Sequence, residues 1–178
     1  VEYERAVYEQ DFLLLSYSRM GFFINRSQFS GSTSLENVKK IKSPLPYFDS
    51  IFTYNGEKVL LFDCDAFLTA GYRCENEGSS RLCLLMKTSD FGPSNRPAIS
   101  SLLGNNPALS QEFLGLIITS RAEITKIRID EIFLTPPGIR EPLKKRGLYG
   151  CRFSGDREIQ FYIDLEITVL NIMKRKAG

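Results

Sequence analysis

The sequence contains no histidine. That single absence removes Ser-His-Asp and Cys-His nucleophile machinery and every histidine-ligated metal centre. Catalysis here would have to rest on carboxylates, lysine or a cofactor, so the expectation is a protein that is not an enzyme and carries no metal or cofactor. The cysteines are Cys64, Cys74, Cys83 and Cys151, and no two of them form a C-x-x-C pair that could begin a zinc set. Cys83 and Cys151 lie in apolar runs and are expected to be buried small hydrophobes. A reduced, cytoplasmic setting is the simplest reading, with two disulfides left open. No apolar run reaches the ~18 residues needed to span a bilayer, so no membrane insertion is expected. No signal-peptide pattern is present, and a start at Val1 is compatible with a processed N-terminus. Charge of one sign is lacking too: 23 basic and 21 acidic residues leave a net +2, which gives no support to a nucleic-acid partner. The twelve basic and eight acidic residues from Arg121 onward, with the Lys174-Arg175-Lys176 tail, read as a solvated face.

The 178 residues suffice for one substantial domain or two small ones. The stretch Phe48–Leu68 organises the rest. Ile51-Phe52 leads to Asn55-Gly56, and Val59-Leu60-Leu61-Phe62 follows. Asn-Gly between two strand-like runs predicts a hairpin, because both central residues of a type I′ turn need positive φ. Asp63 or Asp65 is placed to cap a helical turn beginning at Ala66-Phe67-Leu68. A variant of this unit returns near the C-terminus. Gly150–Phe153 leads through Ser154-Gly155-Asp156 to a strand with Ile159, Phe161 and Ile163 on one face and Glu158, Gln160 and Tyr162 on the other. Asp164 then caps a helical stripe through Leu165, Val169, Leu170 and Ile172-Met173. The chain therefore reads as two β-rich halves, each closing on a hairpin and a short helix.

Elsewhere, Val1–Gln10 reads as a polar arm or edge helix. Phe12–Leu15 and Phe22–Ile24 form a hairpin through Arg19-Met20-Gly21. Ser30–Ser34 is a flexible linker by composition and lacks P-loop spacing. Pro44 and Pro46 favour an extended approach to the central hairpin. Arg81–Lys87, Phe113–Ile118 and Ile124–Ile129 read as strands, with Gly115 marking a close approach or a bulge. Residues 89–111, with Pro93, Pro97 and Pro107, read as an inserted loop with one helical turn at Ile99–Leu103. Thr135–Gly138 is a turn and Glu141–Arg146 a charged connection. The fold class is mainly β: a barrel or paired barrels with few helices.

The order of these elements resembles the CheW-type domain, an adaptor of bacterial chemotaxis, from about Asp11 to Leu170. The resemblance rests on DFLLLSY (Asp11–Tyr17), GFFINRSQF (Gly21–Phe29), SIFTYNGEKVLLFDCD (Ser50–Asp65), LGLIIT (Leu114–Thr119), IFLTPPGI (Ile132–Ile139) and YGCRFSGDREIQFYIDLE (Tyr149–Glu166). Gly56, Asp63, Gly115 and Gly150 are kept. Ser50 replaces the family's glycine, Asn55 its hairpin arginine, Leu61 a proline, and Thr119-Ser120 a Val-Asp pair. The resemblance implies two SH3-like five-stranded barrels packed together, with cores at about 22–87 and 113–163, an N-terminal strand at 11–17 and a C-terminal helix at 165–175. It implies an adaptor without catalytic residues whose partners are a CheA-like histidine kinase regulatory domain and a chemoreceptor's cytoplasmic tip. The implied contact residues are Phe29, Ser50, Asn55, Gly56, Gly115 and Gly150. Two other readings are compatible with the sequence: a ligand-binding or enzymatic barrel with 89–111 as a lid over Asp63, Asp65 and Asp164, and a nucleic-acid face of Phe52, Tyr54 and Phe62 with Lys144-Lys145-Arg146.

Overall fold

The computed structural model describes residues 8–17, 20–43, 45–69, 81–104, 106–118, 121–155 and 158–174. Cys74 and most of residues 1–10 lie outside this set. The described chain is mainly β, with two mixed six-stranded sheets and few helices. It divides into two compact units, one comprising residues 1–26 and 121–168, the other 27–120 and 169–178.

The first unit holds β1 (Glu9–Ser16), β2 (Gly21–Asn25), β9 (Arg121–Arg128), β10 (Phe133–Leu134), β11 (Leu148–Phe153) and β12 (Ile159–Ile163), hydrogen-bonded in the order β10-β11-β12-β2-β1-β9. The second holds β3 (Gly31–Ser34), β4 (Lys39–Lys40), β5 (Ser50–Tyr54), β6 (Glu57–Asp63), β7 (Leu82–Lys87) and β8 (Leu109–Ile118), in the order β3-β7-β8-β6-β5-β4. Reading the second order backwards matches the two sheets strand for strand. Each has one parallel pair at its centre, β12 with β2 and β6 with β8. In each, the strand entering that pair is followed by a helix: α4 (Leu165–Lys174) after β12 and α1 (Cys64–Thr69) after β6. The repeat expected from sequence is present, but its phase is shifted. The two strands that follow the helix in the second unit, β7 and β8, correspond in the first to β1 and β2, which come from the N-terminus. Residues 22–25 therefore lie in the sheet of the C-terminal hairpin, and 113–118 lie with β6 and β7.

Both sheets are open rather than closed rings of five strands, since no ladder joins their end strands among the described residues. Both nevertheless curl. The end strands β9 and β10 are joined by residues 129–132, and β3 and β4 by 35–38. Five chain steps reach at most ~18 Å, whereas a flat six-stranded sheet would hold its end strands ~24 Å apart.

Several elements differ from expectation. Ser30–Ser34 is not a linker: Gly31–Ser34 pairs antiparallel with Ser34↔Leu82 through Gly31↔Leu85. A waiting β7 edge overrides low strand propensity there. The 89–111 segment is folded, with a 3-10 turn at Thr88–Asp90 and α2 at Arg96–Gly104. Pro97 falls in the first turn of α2, where no backbone N–H is needed, and Phe91, Ile99 and Leu103 are buried. The 141–146 connection is largely helix, α3 (Pro137–Lys145), with Pro137 at its first position. Gln160, on the face opposite Ile159, Phe161 and Ile163, is buried and accepts a 2.6 Å bond from Arg152 Nε. Its face is covered because Phe12, Leu14, Phe23 and Ile127 build a core there, with Ile132 and Tyr162 against it.

The matching core of the second unit is Phe52, Val59, Leu61, Cys83, Leu85 and Ile117. Cys64, Cys83 and Cys151 are buried free thiols, and burial pushes Cys83 up to about 12. No helix among the described residues is long and apolar enough to cross a membrane.

Candidate partner-binding surfaces

The Asn55-Gly56 hairpin forms as the sequence predicts. Tyr54 pairs with Glu57 across a two-residue turn. Asn55 (φ 49°) and Gly56 (φ 83°) both take the left-handed conformation a type I′ turn demands. Both are exposed.

The other residues implied by the resemblance lie elsewhere. Phe29 and Ser50 are buried, and the Ser50 hydroxyl donates to Asp49 Oδ1 at 3.1 Å. Gly115 sits inside its sheet, between Leu61 of β6 and Leu85 of β7. A Cβ built on it would lie 2.6 Å from Leu61 Cδ2 and 2.8 Å from Cys83 Sγ. That is a close approach of packed strands, and it leaves no space at the surface. Gly150 is likewise buried, and a Cβ there would meet Ile132 Cγ2 at 3.1 Å and the Phe133 carbonyl at 3.2 Å. Of the six, Asn55 and Gly56 alone come to the surface together.

The aspartates have structural work. Asp63 Oδ1 accepts the Ala66 N–H at 2.9 Å, and Asp164 Oδ1 accepts the Ile167 N–H at 3.1 Å. Each is the N-cap of its helix, satisfying a donor that has no partner within the first turn. Desolvation pushes the Asp63 carboxyl up, the Ala66 N–H pulls it down, and the neighbouring Asp65 charge pushes it up again. Asp65 lies in the first turn of α1. No group of three metal-binding side chains occurs among the described residues. Phe52 and Phe62 are buried core residues, and Tyr54 packs edge-on against Phe113 at 5.6 Å. Lys144 and Lys145 occupy the last turn of α3 and Arg146 follows it, where cations complement the helix dipole.

A surface that the sequence reading missed lies in the first unit. The large hydrophobic side chains left exposed among the described residues are Tyr8, Met20, Ile124, Ile129, Phe133, Leu134, Ile139, Phe153 and Ile159, and every one belongs to that unit. The register sets three of them, Phe133, Phe153 and Ile159, on one face, with Leu134 on the other face of the same end strand. β10 is an end strand, and both its residues are exposed, Phe133 by 56% and Leu134 by 76%. Phe133 is opposite Cys151, so Phe153, two residues along β11, shares its face. Phe153 in turn is opposite Ile159. Ile139 stands on α3, which follows β10 directly and packs on β11. The Arg140 Nε–H donates to the Thr135 carbonyl at 3.1 Å and ties the helix to the end of that strand. The available signal was the IFLTPPGI segment, whose apolar residues flank a proline turn instead of following a strand or helix period.

Two curled mixed sheets, each with a capped helix after its central parallel strand, define a two-unit β fold. No family model and no curated protein matches the sequence. Among solved structures the chain is similar to the scaffolding protein TtCheW from Thermoanaerobacter tengcongensis, with a TM-score of 0.60. The match covers 93% of this chain and 90% of that one, at 13% identity. The fold is therefore CheW-like.

Proposed function

We propose that this protein is a non-catalytic adaptor of the cytoplasm that works by protein–protein binding. Its partners are the regulatory domain of a histidine kinase and the helical tip of a chemoreceptor, in a chemotaxis or related two-component pathway. Each curled sheet is taken as an opened SH3-like barrel. The observation carrying the reading is the exposed row Phe133, Phe153 and Ile159 on one face of the first unit's sheet. An exposed group of large apolar side chains confined to one unit marks an interaction surface. The likeness to a scaffolding protein supports the same reading. Two of the three aspartates that an enzyme would need, Asp63 and Asp164, are engaged as helix caps. The segment that a lid would need is held down by three buried side chains, Phe91, Ile99 and Leu103.

The test is calorimetric titration of the full chain against each partner at two salt concentrations. Saturable one-to-one binding is expected with at least one of them. Phe153→Arg should weaken it at least tenfold while changing stability by no more than ~0.5 kcal/mol, as for an exposed position. Absence of binding to both partners at high micromolar concentration would sink the reading.

A further inference from the structure

One end of the first unit's curled sheet carries a row of polar residues. Arg152 of β11 is opposite Gln160 of β12, and Gln160 lies alongside Gly21 of β2. Gly21 is opposite Ser16 of β1, and Ser16 is opposite Arg121 of β9. Residues in register across a sheet share a face. The row therefore lies on the face of Tyr162, Phe23 and Leu14, two residues further along each strand, beside the β1–β2 and β11–β12 connections. It closes over the core of Phe12, Leu14, Phe23 and Ile127.

Within this row sits a buried amide with only one end paired. Gln160 is 5% exposed. Its Oε1 accepts the Arg152 Nε–H at 2.6 Å, and that contact fixes which end of the amide is oxygen, because a flip would set donor against donor. Nε2 has no hydrogen-bond acceptor among the described residues. Gly21 makes room for it: a Cβ there would lie 2.9 Å from Gln160 Cγ and 3.5 Å from Nε2. Arg152 is in a similar state. Its side chain is 17% exposed, and its charge partner Glu131 stands 3.6 Å from Nη1, an ion pair without a hydrogen bond. Glu131 is also shared with Arg128 at 3.9 Å. The Nη groups of Arg152 therefore keep N–H donors that no described residue accepts. Arg121 is exposed and has no ion pair among the described residues, and the acidic residue on its face of β9 is Glu123, also exposed.

We propose that Arg152 and Gln160 form a binding site for a small oxyanion, a carboxylate or phosphate group, at this end of the sheet. The mouth of a curled sheet is a common place for a small ligand. The groups on offer are all N–H donors and one of them is charged, so an oxyanion with several lone pairs satisfies both side chains at once. A metal ion would meet only donors, and an apolar ligand would leave the amide unpaired. Arg121 adds charge that draws an anion in, while Glu131 competes for Arg152. The site is separate from the exposed row of Phe133, Phe153 and Ile159, because Arg152 and Gln160 alternate with Phe153 and Ile159 and face the other way. It does not depend on the adaptor reading.

The experiment follows the Gln160 side-chain amide and Arg152 Nε–H resonances of the full chain during titration. Inorganic phosphate, and separately acetate, is added with ionic strength held constant by sodium chloride. Saturable shifts of both groups are expected with at least one anion; saturation by phosphate alone assigns a tetrahedral ligand, and by acetate alone a planar one. Gln160→Glu sets a carboxylate against Arg152 and should weaken binding at least tenfold. Glu131→Gln, at an exposed position, should retain the fold and tighten binding severalfold. Absence of saturable shifts with either anion, in both the wild type and Glu131→Gln, overturns the proposal. So does binding that a folded Gln160→Glu protein leaves unchanged.

Discussion

Gly115→Ala separates a packing role from a contact role at one atom. The added methyl would lie 2.6 Å from Leu61 Cδ2 and 2.8 Å from Cys83 Sγ. Both neighbours are fully buried, and both belong to strands that flank β8 in the ladder. Neither can swing into solvent, so the sheet must spread or the side chains must leave their rotamers. Overpacking of this kind costs ~1–3 kcal/mol, and two simultaneous overlaps place Gly115→Ala toward the upper end, about 2–3 kcal/mol. For a chain of this length that is a fall in melting temperature of roughly 5–10 °C. Urea unfolding followed by far-UV circular dichroism measures it. Cys83→Ala removes one of the two overlapping atoms, so the double variant should be less destabilised than the sum of the singles, by about 1 kcal/mol. A stability change below ~0.5 kcal/mol for Gly115→Ala, together with lost partner binding, would refute the packing account and return Gly115 to the surface.

Two further outcomes follow from the caps and thiols. Asp63→Ala should cost ~1 kcal/mol through loss of the cap, whereas Asn keeps the accepting oxygen and removes the desolvated charge. Because Asp63 is pushed up in the fold, the stability it adds is fully present below its ordinary 3.8 and is lost as pH rises through the raised value. The advantage of Asp63→Asn over wild type should therefore grow from acid toward neutral pH; a difference independent of pH in chemical denaturation would contradict this. Cys83 is buried with its thiol near 12, so a thiol reagent at pH 8 should label it only as fast as the protein opens. Immediate labelling in native buffer would show that the core is not closed.

What could be read from sequence was what local chemistry dictates. Asn55-Gly56 admits one economical turn, and an aspartate ahead of an apolar helical stripe is a cap wherever the strand ends. These features, at both hairpins, sufficed to reveal the repeat. Its phase was invisible, because nothing local in Phe22–Ile24 tells that its parallel neighbour is Phe161–Ile163 and not a nearby strand. The same limit hid β3, whose serines become a strand only because β7 offers an edge. The prolines misled in both directions: Pro97 and Pro137 begin helices, where their missing N–H costs nothing. Of the residues the resemblance implies as contacts, Asn55 and Gly56 had an exposed place legible from turn chemistry. Gly115 and Gly150 share the glycine signal, but absence of a side chain serves a crowded interior as well as an open surface. The apolar cluster was missed because the sequence shows that Phe133 and Leu134 are hydrophobic and not that nothing covers them.

The split origin of the first unit sets an order of events during synthesis. Residues 27–120 supply every strand of their own sheet, and residues 169–178 complete that unit later. The β1–β2 hairpin emerges earlier still, but Ile24 must wait for Ile163. Two paired strands alone are marginal in water, and here Leu13, Leu15, Phe22 and Ile24 lie on one face with Phe12, Leu14 and Phe23 on the other. For most of translation the nascent chain therefore carries a sticky, half-made sheet. Any chaperone dependence of this protein should centre on β1 and β2 and end when β12 arrives.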